Sequence, residues 1–414
     1  MRREFDLLRT ARVGSLVFTS LAHFINDGGS YTIPLIISIL ATERIVSTFT
    51  IIMMPITFYS ASLMLSMLLG ALADRAERPG LMIGIGLGII SAGLFGLAIS
   101  LSMGSGVNLT LFVLFATFVT GLGTAFYHPI GAAILQSVYE NQGIGKALGI
   151  NGAMGAFGRA LYPSLFFLVA SVVTANGSIA FLASVGGVAS IVVSIGLRRS
   201  YRSPDWNDSR IRGGSIRRDI TRPLVVLTLV AFVSAFSVQG VASWIPTYLA
   251  LQKGFGISSS LGIALTGMYG ASIIGQPLFG YLVDRFDKRL VLAGSTIGSA
   301  LTIVGYLFAS GALGIVWLVL LGFFTFSSFP LFLSLASDYV PRKSSSLSNA
   351  LVWSLGVNGG GVVGPAVVGA LALSGLLSWP DTFELMAAMA LVAAAMVGLL
   401  RKPLKNAKMP SSDA

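Results

Sequence analysis

Gly70-Ala-Leu-Ala-Asp-Arg-Ala-Glu-Arg78 closes one long apolar run, and Gly280-Tyr-Leu-Val-Asp-Arg-Phe-Asp-Lys288 closes another 210 residues later. Each copy places a glycine, a three-residue spacer and an Asp-Arg pair at the end of a hydrophobic segment. Two prolines repeat at a similar offset: Pro129 is matched by Pro330, and Pro163 by Pro365. Three features aligned at nearly one spacing indicate a duplicated chain.

Outward from these loops the sequence is a series of apolar runs, each near the roughly 20 residues that cross a hydrocarbon core. Twelve are read, over 13–40, 47–72, 81–103, 108–138, 145–172, 177–197, 223–252, 258–283, 290–310, 313–339, 346–374 and 382–400. Charged residues make up 10% of the chain, against about 25% in soluble domains. So few charges cannot cover a soluble surface of this size. The 49 glycines suit close helix contacts inside a bilayer. The first run carries His23, Asn26 and Asp27 and has no small-residue cleavage site, so it reads as a retained helix.

The net charge of +11 lies between the apolar runs and not in a patch, which argues for membrane topology and against nucleic acid. With the N-terminus inside, 24 of the 27 lysines and arginines fall in inside segments. Two, Arg44 and Lys253, fall outside, and Arg159 lies within a run. That asymmetry places both termini on the cytoplasmic side of the cell membrane. The basic stretch from Arg198 to Arg222 reads as a linker that pins topology, with contact to anionic lipid headgroups as the sharper reading. The fold expected is an all-α membrane protein of twelve transmembrane helices, in two pseudo-symmetric six-helix bundles around a central cavity. The expected divisions are 1–200, a cytoplasmic linker over 201–222, 223–402, and a tail over 403–414. Parallel repeats of this kind are a common transporter plan.

The Gly-x-x-x-Asp-Arg-x-x-Arg/Lys loop, with twelve helices and a basic central loop, resembles the major facilitator superfamily over the whole chain. The resemblance implies a cytoplasmic gate at Asp74, Arg75 and Arg78, and in the second half at Asp284, Arg285 and Lys288. Charges at helix ends can pair and break as the halves rock. The usual glycine of the motif is Glu77 in one copy and Asp287 in the other. Two shorter motifs, His23-Phe-Ile-Asn-Asp27 and Phe126-Tyr-His-Pro129, resemble the fosmidomycin-resistance group, which implies proton-coupled efflux.

Ionisable groups within the runs are costly, by about 3 kcal/mol for a charge at a helix centre, and they mark function by default. His23 and Asp27 are four residues apart and share a helix face, with Asn26 beside them. Imidazole beside carboxylate can load and release a proton near neutral pH. His23, Asn26, Asp27 and His128 are therefore candidates for proton coupling or cavity lining, and the alternative is a hydrogen-bonded packing network. Arg159 lies in Gly155-Ala-Phe-Gly-Arg-Ala-Leu-Tyr-Pro163, where drug antiporters usually carry Gly-Pro-x-x-Gly. A buried guanidinium takes a carboxylate or phosphate bidentately. Three destinations are open: an anionic substrate, an ion pair with Asp27, or a helix end. Tyr31, Tyr127, Asn151, Gln239, Trp244 and Asn358 complete the candidate substrate contacts, and Trp244 is equally suited to an interfacial anchor.

Cysteine is absent and there are two histidines, so no metal site and no cofactor are expected. No phosphate loop, nucleophile or oxyanion site is found, which argues against an enzyme and against ATP as the energy source. The reading is a secondary active transporter of a small, anionic organic solute, working by alternating access with proton coupling. Its partners are the substrate, protons and membrane lipids, and it needs no second copy. The alternatives are a multidrug or antibiotic proton antiporter and a non-transporting membrane sensor of the same fold.

Overall fold

The computed structural model describes residues 2–73, 78–103, 106–139, 144–200, 222–339 and 345–402. Among them there is no β-strand. The first half contains α1 (Arg2–Thr42), α2 (Thr48–Ala73), α3 (Pro79–Ser100), α4 (Val107–Thr124), α5 (Tyr127–Val138), α6 (Ile144–Ala170) and α7 (Ala175–Ser200). The second contains α8 (Arg222–Gln252), α9 (Ser259–Arg285), α10 (Lys288–Phe308), α11 (Gly311–Ser327), α12 (Phe329–Tyr339), α13 (Ser345–Leu351), a π-helical segment (Val352–Asn358), α14 (Gly359–Leu373) and α15 (Trp379–Met396). The basic linker at 201–221 lies outside the described residues.

These elements make twelve passes, because three of the passes are broken. Pro129 has no N–H for the carbonyl four residues back, and the helix interrupts between α4 and α5. Pro330 does the same between α11 and α12. There the freed carbonyl of Phe326 accepts a hydrogen bond from Gln276 Nε2 at 3.2 Å. The third break is the π-helical segment, which carries Trp353, Ser354 and Asn358. Eleven passes are long and apolar enough to cross a membrane by length and composition. The other, α9, has 27 residues. It is diluted by Ser272, Gln276, Asp284 and Arg285.

Large apolar side chains such as Leu111, Phe115, Ile191, Ile274, Leu301 and Phe308 are exposed. On a soluble protein such a surface would aggregate, whereas a bilayer covers it. One apolar core runs from the first half into the second through Trp244, Tyr248, Tyr269 and Phe326. A smaller one stays in the second half around Leu227, Phe332 and Leu335. Polar bonds also join the halves. Ser164 and Thr266 hydroxyls are 2.7 Å apart between α6 and α9. Ser354 Oγ donates to the Leu63 carbonyl at 3.0 Å, between the π-helical segment and α2.

Candidate functional site

Two glycines of α6 allow α1 to lie against it. A Cβ at Gly158 would run into the Phe24 carbonyl, and one at Gly155 into the His23 imidazole. Helix backbones in membranes approach closely only where such small residues face each other. This approach sets the polar face of α1 against Arg159.

Asp27 is the centre of the cluster. Its side chain is 5% exposed, and it is ion-paired with Arg159 Nη1, itself on a side chain 7% exposed. Of the three destinations open to Arg159, the carboxylate of Asp27 is the one occupied; the guanidinium does not reach a helix end. Its Nη2 donates to Ser272 Oγ on α9 at 3.3 Å, so the cation also bridges the halves. The guanidinium carbon stands 5.4 Å from the Tyr31 ring centre and 5.7 Å from that of Phe326, within cation–π reach. Tyr31 meets Tyr269 and Phe326 edge to face. Asn26 Nδ2 donates to Asp27 Oδ1 at 3.0 Å.

Both histidines converge on the same carboxylate. His23 Nε2 is 3.3 Å from Asp27 Oδ2, and His128 Nε2 is 3.6 Å from Oδ1. His23 Nδ1 lies 2.8 Å from the Asn151 main-chain carbonyl. A carbonyl only accepts, so Nδ1 carries a hydrogen and donates to it. In the neutral imidazole that leaves Nε2 and a carboxylate oxygen facing each other, two acceptors at 3.3 Å. A proton between them turns a repulsion into a charge-assisted hydrogen bond. Tyr127 holds the arrangement from the other side: its ring stacks on His23 at 4.7 Å and its hydroxyl donates to Asn151 Oδ1 at 2.9 Å. Among the described residues, the buried atoms Arg159 Nε, Asn151 Nδ2 and Tyr269 OH have no hydrogen-bond partner. All three can donate, and buried donors are rarely left unpaired.

The remaining candidates are spread more widely. Gln239 on α8 accepts from Tyr59 OH of α2 at 2.8 Å, and Asn358 Nδ2 donates to Ser62 Oγ at 3.3 Å. Both stand at contacts between the halves. Trp244 is fully buried, and its indole N–H donates to the Pro365 carbonyl at 2.8 Å. It is packed in the core that joins the halves and is not an interfacial anchor. Of the gate residues, Asp74 and Arg75 lie outside the described residues, and Arg78 is exposed just before α3. Asp284 and Arg285 are exposed at the end of α9. Lys288 pairs with Asp338 at 2.7 Å and donates to the Ser334 carbonyl. Asp287, where the motif usually has glycine, caps α10 by accepting from the Arg289 N–H at 3.0 Å. Its hydrogen bonds with Arg289 hold its carboxyl below the usual range.

Trp353, Phe326, Ser272 and Asp338 had no signal in the sequence. Trp353 lies against His128 with ring centres 4.1 Å apart, from the opposite half. Its position depends on the register of the π-helical segment, which no local pattern announces.

The model for the Major Facilitator Superfamily matches residues 19–271 and again 250–413. The fosmidomycin resistance protein of Escherichia coli is 26% identical over 375 residues, covering 87% of this chain and 86% of that protein. The macrolide efflux protein A of Streptococcus pyogenes is 27% identical over 252 residues, 59% of this chain and 61% of its own. Among solved structures, the fucose:proton symporter of E. coli superposes with a TM-score of 0.64 at 16% identity, over 93% of this chain and 98% of that one.

Proposed function

The chain belongs to the major facilitator superfamily of membrane transporters, and we propose that it carries a small organic anion together with a proton. It is a multi-pass membrane protein and not an enzyme. We also place both termini on the cytoplasmic side, from the asymmetry of lysine and arginine.

One observation carries the proposal: the Asp27–Arg159 ion pair is buried between the halves, with His23 Nε2 facing the same carboxylate. Without substrate, carboxylate and guanidinium neutralise each other. An anion entering the site competes with Asp27 for the guanidinium, and two anions on one cation are unfavourable in a low dielectric. A proton delivered through His23 removes the charge of Asp27. Arg159 is then released to grip the anion with a two-pronged hydrogen bond. The buried charge sums to zero before and after, so proton and anion bind as a unit. Arg159 Nε, Asn151 Nδ2 and Tyr269 OH supply further donors. His128 is the most exposed of the four ionisable side chains at 22%, which suits it to exchange protons with water.

A second reading is proton-driven export of uncharged or cationic drugs. It is favoured by the name of one relative, efflux of macrolide. In that reading Arg159 stays with Asp27 as a structural pair. Thermal stability of the purified protein against benzoate, succinate, methylphosphonate, a neutral macrolide and a lipophilic cation, at two pH values, separates the readings. A ligand at 100 times its Kd adds about 2.7 kcal/mol. Stabilisation by an anion, stronger at the lower pH, is the result expected. Stabilisation by the neutral or cationic compounds alone overturns the anion assignment.

A further inference from the structure

Asp27 draws together both histidines of the chain, and the donor atoms of His23, Asp27 and His128 all lie within 4.8 Å of one another. The proton reading uses His23 to deliver the proton and His128 to exchange it with water, and neither role requires both imidazoles to meet one carboxylate. We propose that His23 Nε2, the Asp27 carboxylate and His128 Nε2 form a binding site for a first-row transition-metal dication such as Zn²⁺ or Co²⁺, with an exogenous anion as fourth ligand.

The spacing fits. A tetrahedral zinc with bonds of about 2.0 Å keeps its donors about 3.3 Å apart. The histidine-to-carboxylate separations are 3.3 Å to Oδ2 and 3.6 Å to Oδ1, and all three donors lie within 4.8 Å of one another, so the side chains must draw together by about an ångström to close a tetrahedral site. The donor set fits as well: two imidazole nitrogens and one carboxylate suit zinc, copper, nickel and cobalt and exclude calcium and magnesium, which take oxygen.

The surroundings orient the donors as metal sites require. A metal-bound histidine almost always donates its other N–H to a fixed acceptor. His23 does so to the Asn151 carbonyl at 2.8 Å, so that in the neutral ring the Nε2 lone pair faces Asp27. The carboxylate is itself held by Asn26 Nδ2 and by Arg159, as ligating carboxylates are. Arg159 sets the main electrostatic cost, because a dication beside a guanidinium is repelled. An anion in the fourth position offsets that repulsion and lies where the guanidinium can bind it. The site thus takes a metal in company with an anion. This departs from the expectation of no metal site, which rested on the absence of cysteine and the presence of two histidines far apart in the chain; the fold brings both onto one carboxylate.

The proposal does not depend on what is transported, so it is tested on the resting protein. The chain, purified without a histidine tag in a metal-free, non-chelating buffer near neutral pH with acetate added as the anion, is titrated with Co²⁺ while visible d–d absorption is recorded. Four-coordinate Co²⁺ gives intense bands and hydrated six-coordinate Co²⁺ only faint ones. The expected result is one equivalent bound with intense bands, displaced by Zn²⁺. Affinity should fall at least tenfold in His128→Ala and in His23→Gln. Lowering the pH should weaken binding, because protons compete for both imidazoles. Faint bands only, or unchanged affinity in both variants, overturns the proposal. If the variants fail to fold, the spectrum and stoichiometry of the unaltered chain decide by themselves.

Discussion

Arg159 on α6 and Asp27 on α1 form an ion pair in which both side chains are less than a tenth exposed. Removing one partner leaves the other charged and buried, which typically costs 3–5 kcal/mol; removing both is far milder. Arg159→Gln should therefore lower thermal stability sharply and abolish stabilisation by anions. The double variant Asp27→Asn with Arg159→Gln should recover most of the stability and none of the anion response. Thermal unfolding of the three proteins in detergent reads both effects. A double variant as unstable as Arg159→Gln would show that the pair is not the coupled unit.

The approach of α1 to α6 is tested by two alanines on one helix. At Gly155 a methyl group meets the His23 imidazole, whereas at Gly149 there is nothing within 4 Å. Gly155→Ala should cost about 1–3 kcal/mol through overpacking and should shift the pH dependence of ligand binding. Gly149→Ala should be neutral or slightly stabilising, because alanine favours helix over glycine by about 1 kcal/mol. Equal effects at the two positions would refute the packing described.

Much of this arrangement is legible in the amino-acid sequence. The four-residue step from His23 to Asp27 sets both on one face of α1, and Arg159 stood out as a lone cation in an apolar run. The positions of Pro129 and Pro330 matched across the halves, though not that each would split its pass in two. Contacts between elements were not legible. Ser272 meets Arg159 only because α9 crosses α6, and Phe326 is an apolar residue in an apolar segment until it lies beside the guanidinium. Trp244 shows the converse. An aromatic near the outer third of a helix suits a membrane interface, but burial against Pro365 decides its place. The second-copy motif departs from its pattern at Asp287 for a reason only the backbone shows: the residue caps α10.

That cap has its own pH signature. Hydrogen bonds with Arg289 hold the Asp287 carboxyl below its ordinary range. A carboxyl depressed in the folded state contributes stability above its unfolded pKa of about 3.9 and loses it as the pH falls further. Asp287→Ala should cost about 1 kcal/mol at neutral pH. The difference between variant and unaltered protein should shrink as the pH drops below about 4. Parallel melting temperatures down through that range would contradict the assignment.

The chain has no cysteine, which makes it a clean background for crosslinking. Ser164 Oγ and Thr266 Oγ1 are 2.7 Å apart across the halves, so their Cβ atoms are near disulfide range. In the variant Ser164→Cys with Thr266→Cys, oxidation should join α6 to α9 and stop transport in vesicles, and reduction should restore it. Transport that continues in the crosslinked protein would mean that the halves do not separate at this contact.

The most direct measurement is the proton balance when the anion binds. The purified protein, weakly buffered near neutral pH with a pH indicator, is mixed with benzoate or another monocarboxylate that stabilises it, each a monoanion at this pH. Transfer of Arg159 from Asp27 to the anion requires uptake of about one proton per anion bound, to keep the buried charge at zero. Asp27→Asn should bind the anion with no uptake. Anion binding to the unaltered protein without proton uptake, or with proton release, would contradict the exchange of Arg159 between Asp27 and substrate.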